Sequence, residues 1–232
     1  MTDPGSYEVY AVKYAERDAR RPEHFLGGDP HDVPMPMDYF VWAIVGRDRT
    51  IVVDTGFNTH DAELRNRRLL RTAAEGLGAI GVDASTAPTV VLTHLHYDHV
   101  GGFDQFPNAQ FHLQDREMNF ATGRHMTNSQ YSHAFTARHV AKMVMAVHAK
   151  RVQFHDGDGE LAPGISRTTL AATPTACRRF GSTPPPAGWC WRRMPATTTR
   201  TWRRRVPSRS SSTFRRWSPG TTGCAPSLDP VA

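Results

Sequence analysis

The chain has 232 residues, enough for one domain with a sizeable core or at most two small ones. No stretch approaches the roughly 18 continuous apolar residues of a membrane span. Met1 to Phe25 mixes charged and single apolar residues, unlike a secretory leader, so the expected setting is the cytoplasm.

The three cysteines, Cys177, Cys190 and Cys224, lack paired spacing and suggest neither a disulfide framework nor a zinc ribbon. The net charge of +6 hints at nucleic acid, but its distribution argues otherwise. Residues 167–232 hold 12 Arg, no Lys and one acid, Asp229, against 16 basic and 21 acidic residues before them. All 12 histidines lie at or before His155, whereas every cysteine and four of five tryptophans lie at or beyond Cys177. A folded domain rarely changes composition this sharply. The chain divides into a body, 1–166, and a basic tail, 167–232.

In the body, Tyr7 to Val12 alternates apolar and polar residues as a half-buried strand does. Tyr39 to Val45, then Gly46 and a turn leading to Ile51-Val52-Val53, predict a hairpin from a sheet core. Asp61 to Leu77 has helical spacing through Leu64, Leu69, Leu70 and Ala73, with Gly76 and Gly78 to end it. Thr89 to Leu92 is a buried strand and Ala109 to Leu113 alternates again. His133 to Arg151 predicts a helix with Ala141, Val144 and Val147 on its apolar side. Strands alternating with helices imply a layered α/β fold. The tail carries neither a helical nor a strand period and is expected to be irregular or disordered.

The strand at Thr89 delivers the chain into Thr93-His94-Leu95-His96-Tyr97-Asp98-His99. Imidazole nitrogens bind Zn²⁺ at about 2.0–2.1 Å and carboxylate oxygens at a similar distance. On a tight loop, His94 and His96 can serve one ion while Asp98 and His99 serve its neighbour. Gly101-Gly102 lets the backbone turn closely past them.

This run, HxHxDH at His94, His96, Asp98 and His99, resembles the metallo-β-lactamase superfamily. Within it, Asp38 to Trp42, Ile51 to Phe57, Thr93 to Gly102 and Arg151 to Asp158 resemble the N-acyl homoserine lactonases. The resemblance implies an αββα sandwich holding two zinc ions and a lactone substrate. A metal-bridging hydroxide would attack the lactone carbonyl, with Asp98 ligating and assisting proton transfer. It also implies that Asp54, in Val53-Asp54-Thr55-Gly56, orients the ligand histidines without binding metal.

The family pattern requires three further ligands: a His in a Gly-His-Thr turn, a bridging Asp after an apolar strand, and a His in a Gly-His-Asp turn. No histidine follows His155. Reading the tail codons one nucleotide earlier supplies all three. Ala171 to Arg178 can then read Gly-Gly-His-Thr-His-Gly-Leu-Gln. Around Trp189 to Pro195 the single codons of Trp and Met force Val at the place of Cys190 and Ala at that of Pro195. The remaining bases allow a strand ending in Asp. Ser218 to Thr222 permits Val-Pro-Gly-His-Asp. Three awaited motifs in order and in one frame imply loss of one base near the codons of Ser166 and Arg167.

On this reading only the N-terminal part of the sandwich is encoded in frame. The chain keeps two ligands per ion, with little or no lactonase activity and a tendency to aggregate. Two alternatives remain: another hydrolase of the same fold, of thioesterase or β-lactamase type, and a vestigial metal domain whose basic tail binds nucleic acid. No membrane partner is expected.

Overall fold

The computed structural model describes residues 7–25, 28–170 and 188–192. Ten strands and six α-helices follow in chain order: β1 (Glu8–Arg17), β2 (Met37–Val45), β3 (Thr50–Val53), α1 (Thr59–Leu64), β4 (Arg68–Leu69), α2 (Ala73–Gly78), β5 (Thr89–Val91), α3 (Tyr97–Val100), β6 (Gln110–Gln114), α4 (Asp115–Thr122), α5 (Ser129–Ser132), α6 (Ala137–His148), β7 (Val152–His155), β8 (Gly159–Ala162), β9 (Ile165–Leu170) and β10 (Gly188–Arg192).

The large sheet has the order β4-β1-β2-β3-β5-β6-β7. The expected hairpin is present, with Val45 opposite Thr50 and Trp42 opposite Val53. From β3 onward the strands β3, β5, β6 and β7 run parallel. Side chains alternate across this sheet as the pleat requires. Tyr39, Val41, Ala43, Val52, Val90, Phe111 and Leu113 point to one face. There they pack with Ala62, Ala73, Leu77, Ala121, Met143 and Ala146 of the helices, forming the main core. Ile44, Ile51, Val53 and Val91 point to the other face and meet Ile165 of the small sheet β10-β9-β8. The described layers are thus helix, sheet and sheet, the mixed α/β sandwich expected. Val9 and Trp42 extend the second apolar face but stay 53% and 38% exposed.

Two expected helices are corrected. The stretch 61–77 is not one helix. It breaks after Leu64, where Asn66 takes a left-handed φ of 51°, and Arg68 and Leu69 leave to pair with Glu16 and Ala15 of β1. A fresh helix then starts at Thr72, whose hydroxyl accepts from the Glu75 amide while the Glu75 carboxylate accepts from the Thr72 amide. Gly76 lies inside α2 rather than at its end, and a Cβ there would stand 2.6 Å from Val12 Cγ1, so a glycine lets the helix approach β1.

The second correction concerns α6. It is shorter than 133–151 and buries His139, Met143 and Ala146 rather than Ala141, Val144 and Val147. The buried stripe is chosen by its partners: His139 meets Asp61 of α1 at 3.1 Å, and Met143 fills the main core. Strand β1 also runs past Val12 to Arg17, with a bulge between Lys13 and Ala15.

Of the tail, residues 167–170 and 188–192 are described, and both are strand, paired antiparallel to each other. Trp189 and Trp191 are of a residue type enriched in strands. The awaited turns near Ala171 and Ser218 lie outside the described residues. Among the described residues no helix is long and apolar enough to cross a membrane.

Candidate metal centre

The carboxyl ends of parallel strands are where an open α/β sheet presents a crevice, and the histidine loop lies there. Strand β5 ends at Val91, level with Val53 of β3, so Asp54 and Thr93 emerge side by side. Three alternate amides of the loop are then pinned by three different parts of the chain. Thr93 donates to Asp54 Oδ1 at 2.8 Å, Leu95 to Glu117 Oε2 of α4 at 3.4 Å, and Tyr97 to the Ala134 carbonyl at 2.9 Å. Extended backbone sends alternate side chains to opposite sides. Leu95 is fully buried, while the rings of His94 and His96 face each other edge to face, 4.4 Å apart.

Beyond the loop, His96 caps α3, which carries Asp98 and His99. Tyr14, fully buried, donates to the Asp98 carbonyl at 2.9 Å. Thr55 binds the His99 carbonyl through both its amide, 2.7 Å, and its hydroxyl, 3.0 Å. Gly102 is required for this closeness. A Cβ there would stand 2.1 Å from the Thr55 carbonyl oxygen.

All five residues singled out from the sequence converge. The rings of His94 and His99 are 3.8 Å apart, and His99 Nε2 lies 3.5 Å from Asp98 Oδ2. Asp54 binds none of the open space. Its Oδ2 accepts from His99 Nδ1 at 2.8 Å, and its two oxygens receive the Thr93 hydroxyl at 2.9 Å. Thr93 Oγ1 also meets His94 Nδ1 at 3.0 Å. Both rings therefore have Nδ1 held, as in an imidazole whose Nε2 binds metal, and His99 Nε2 here faces Asp98 Oδ2.

Burial drives the His94 pKa down to about 2, and the neighbouring His99 and His96 add to it. That ring is neutral at physiological pH. Burial also lowers His96. His99 goes the other way: burial opposes its charge, but the charge and hydrogen bond of Asp54 hold its pKa up at about 9.

These donors suit zinc in kind and orientation but not in number. Zinc takes four ligands in closed sites and three protein ligands in open ones. Among the described residues no group of three or more His, Cys, Asp or Glu side chains is placed to hold one ion. Nor does another histidine make up the difference. His112 and His155 bond each other at 2.9 Å, His125 stacks on Phe120, His133 Nδ1 faces the Gln130 carbonyl and His139 is paired with Asp61. The described residues do not fit a complete zinc site.

Tyr14, Thr93 and Glu117 had no assigned role in the sequence reading. Thr93 adjoined the motif and could have been found by asking what holds His94. Glu117 sits in a helix where an acid reads as solvated surface, and no local pattern marks it as buried.

Helix layer, mixed sheet and a histidine loop at the ends of its parallel strands define the fold of the metallo-β-lactamase superfamily. A family model described as the metallo-beta-lactamase superfamily matches residues 35–127. A hydroxyacylglutathione hydrolase of Xanthomonas campestris is 28% identical over 155 residues, covering 64% of this chain and 52% of that protein. An N-acyl homoserine lactonase of Azorhizobium caulinodans is 44% identical over 43 residues, 18% of this chain and 16% of that protein. The chain thus spans about half the length, or less, of these curated relatives. The solved structure of a quorum-quenching N-acyl homoserine lactone lactonase superposes with a TM-score of 0.58 at 15% identity, over 82% of this chain and 69% of that one.

Proposed function

We propose that residues 7–166 are the N-terminal part of a metal-dependent hydrolase acting on N-acyl homoserine lactones, and that the chain as encoded does not turn over. The observation that carries this is the paired arrangement of His94 with His96 and Asp98 with His99 on one loop, His99 held by Asp54. Two donors per ion are short of what zinc needs. The lactone is favoured by the resemblance of Asp38 to Trp42 and Thr93 to Gly102 to lactonases, and by the local identity to the Azorhizobium enzyme.

The missing donors belong to the reading frame one nucleotide earlier, lost near the codons of Ser166 and Arg167. Sequencing the gene there tests the frame itself, and an uninterrupted reading of the present frame rejects it. Zinc content and lactone hydrolysis should then be measured on two proteins: the chain as written and one restored by a single inserted base. The restored protein should bind two zinc ions and open the lactone, and the written chain should do neither. Stoichiometric zinc with turnover from the written chain refutes the proposal.

A thioester substrate is the second reading, favoured by the longer alignment to the hydroxyacylglutathione hydrolase. Assaying lactone, thioester and β-lactam hydrolysis on the restored protein separates these. A steep salt dependence of DNA binding by residues 167–232 would instead support a nucleic-acid tail.

A further inference from the structure

Glu117 has no place in the donor set, yet its side chain is fully buried beneath the histidine loop. Its Oε2 accepts from the Leu95 amide, and its Oε1 has no hydrogen-bond partner. Burying a carboxyl among apolar residues is costly, so its position calls for a local reason. The Leu95 peptide supplies one. It lies midway between His94 and His96, and its amide has no backbone acceptor to use, since the β-ladder ended at Val91. A buried backbone donor left unpaired costs free energy comparable to a lost hydrogen bond. On either side the chain is pinned by other partners, Asp54 at Thr93 and Ala134 at Tyr97. Glu117 is the middle pin of three.

We propose that Glu117 is a positioning residue of the histidine loop: by accepting from the Leu95 amide it fixes the peptide that sets the angle between the His94 and His96 rings. Without that acceptor the peptide is free to rotate between its two outer pins. Each rotation carries the imidazoles out of their edge-to-face arrangement, whose planes now stand at 78°. The inference rests on reading 93–102 as a metal loop, but it concerns the loop's shape before any ion binds.

The test therefore uses the metal-free, ¹⁵N-labelled full chain. Glu117→Met keeps a side chain of similar length without an acceptor, whereas Glu117→Gln keeps a carbonyl oxygen at the same reach. Amide exchange at Leu95 and the ring-nitrogen shifts of His94 and His96 are followed beside exchange at Phe111 in the core. In Glu117→Met, Leu95 should exchange at least about tenfold faster and the two rings should change their shifts, with Phe111 unaffected. Glu117→Gln should keep the wild-type ratio of Leu95 to Phe111 exchange and the wild-type ring shifts. A role in packing alone would leave Glu117→Met like the wild type at Leu95 and at both rings, and that result overturns the proposal. Should Glu117→Met fail to fold, Glu117→Asp withdraws the oxygen by one methylene. Wild-type protection of Leu95 in that variant overturns it equally. Zinc content and hydrolysis are separate measurements, so a chain that fails to bind metal leaves this outcome readable.

Discussion

Asp54 Oδ2 and His99 Nδ1 stand 2.8 Å apart, and the backbone of Asp54 holds a left-handed φ of 64° to place the carboxylate there. Aspartate and asparagine tolerate that conformation better than other side chains with a Cβ. The conformation is held by the Thr93 amide and hydroxyl, which both bind the same carboxylate.

Asp54→Asn should keep the backbone and lose the charge. The His99 pKa, held at about 9, should then fall toward or below its ordinary 6.5, because burial alone lowers it. An imidazole whose folded pKa is raised stabilises the fold fully below its unfolded value and loses that contribution as pH rises through the folded one. The stability gap between wild type and Asp54→Asn should be widest below pH 6.5, ~3 kcal/mol at most, and should narrow through pH 9. NMR titration of His99 and urea unfolding between pH 5 and 10 check both halves. An unmoved His99 pKa would contradict the pairing.

Glu117 gives a window of opposite sense. Burial raises its carboxyl to about 8, against the Leu95 amide and His99, which lower it. A carboxyl with a raised folded pKa favours the protonated fold. Its contribution is present below the unfolded value of 4.5 and is lost as pH climbs to 8. Glu117→Gln should therefore gain on the wild type from pH 4.5 to 8, by up to ~5 kcal/mol, and hold level above. Thermal melts across that range in metal-free buffer decide it.

Two glycines make a contrast. Gly102→Ala drives a Cβ against the Thr55 carbonyl, and the backbone on both sides is hydrogen bonded, Gly102 to Gly56 and Thr55 to His99. It should cost ~3 kcal/mol or more and disturb the His99 signals. Gly78→Ala, at the end of α2 with nothing within 4 Å of its Cβ, should gain ~0.5–1 kcal/mol from helix propensity. Equal effects at the two sites would dismiss the close approach.

Asp61 Oδ2 and His139 Nε2 lie 3.1 Å apart in the helix layer, with side chains 0% and 2% exposed. Replacing His139 by Leu leaves the buried Asp61 side chain without its one polar neighbour at this contact and should cost ~1–3 kcal/mol. The double variant Asp61→Leu, His139→Leu should recover much of that. A double-mutant cycle read by urea unfolding measures the coupling, and simple additivity would mean that the two do not interact.

How much of this was legible beforehand depended on where the information lay. The hairpin 39–53 was readable because its apolar runs are continuous and Gly46 punctuates them. The donors were readable because HxHxDH packs four of them into six residues. Strand β1 was read short because its bulge puts Tyr14 and Ala15 both in the core, breaking the alternation. The helix at 61–77 was over-read because Leu64, Leu69 and Leu70 keep helical spacing, while the pairing of Arg68 with Glu16 is a tertiary event. On α6 several stripes were apolar enough to be the buried one, and only Asp61 and the core opposite Met143 decide among them. Glu117 was illegible for the same reason, since its partner is a peptide 22 residues earlier.

The three alternate amides of the histidine loop are pinned from outside it. Its pins reach back 39 residues to Asp54 and forward to Glu117 and Ala134, and its neighbours β3, β5 and β6 pair in parallel, which hairpins cannot achieve. Such distant closures are slow to form because chain entropy must be surrendered before they reward it. A ribosome that has released only the first hundred residues has made the imidazoles but neither Glu117 nor Ala134, so the loop's pins are completed only later in synthesis.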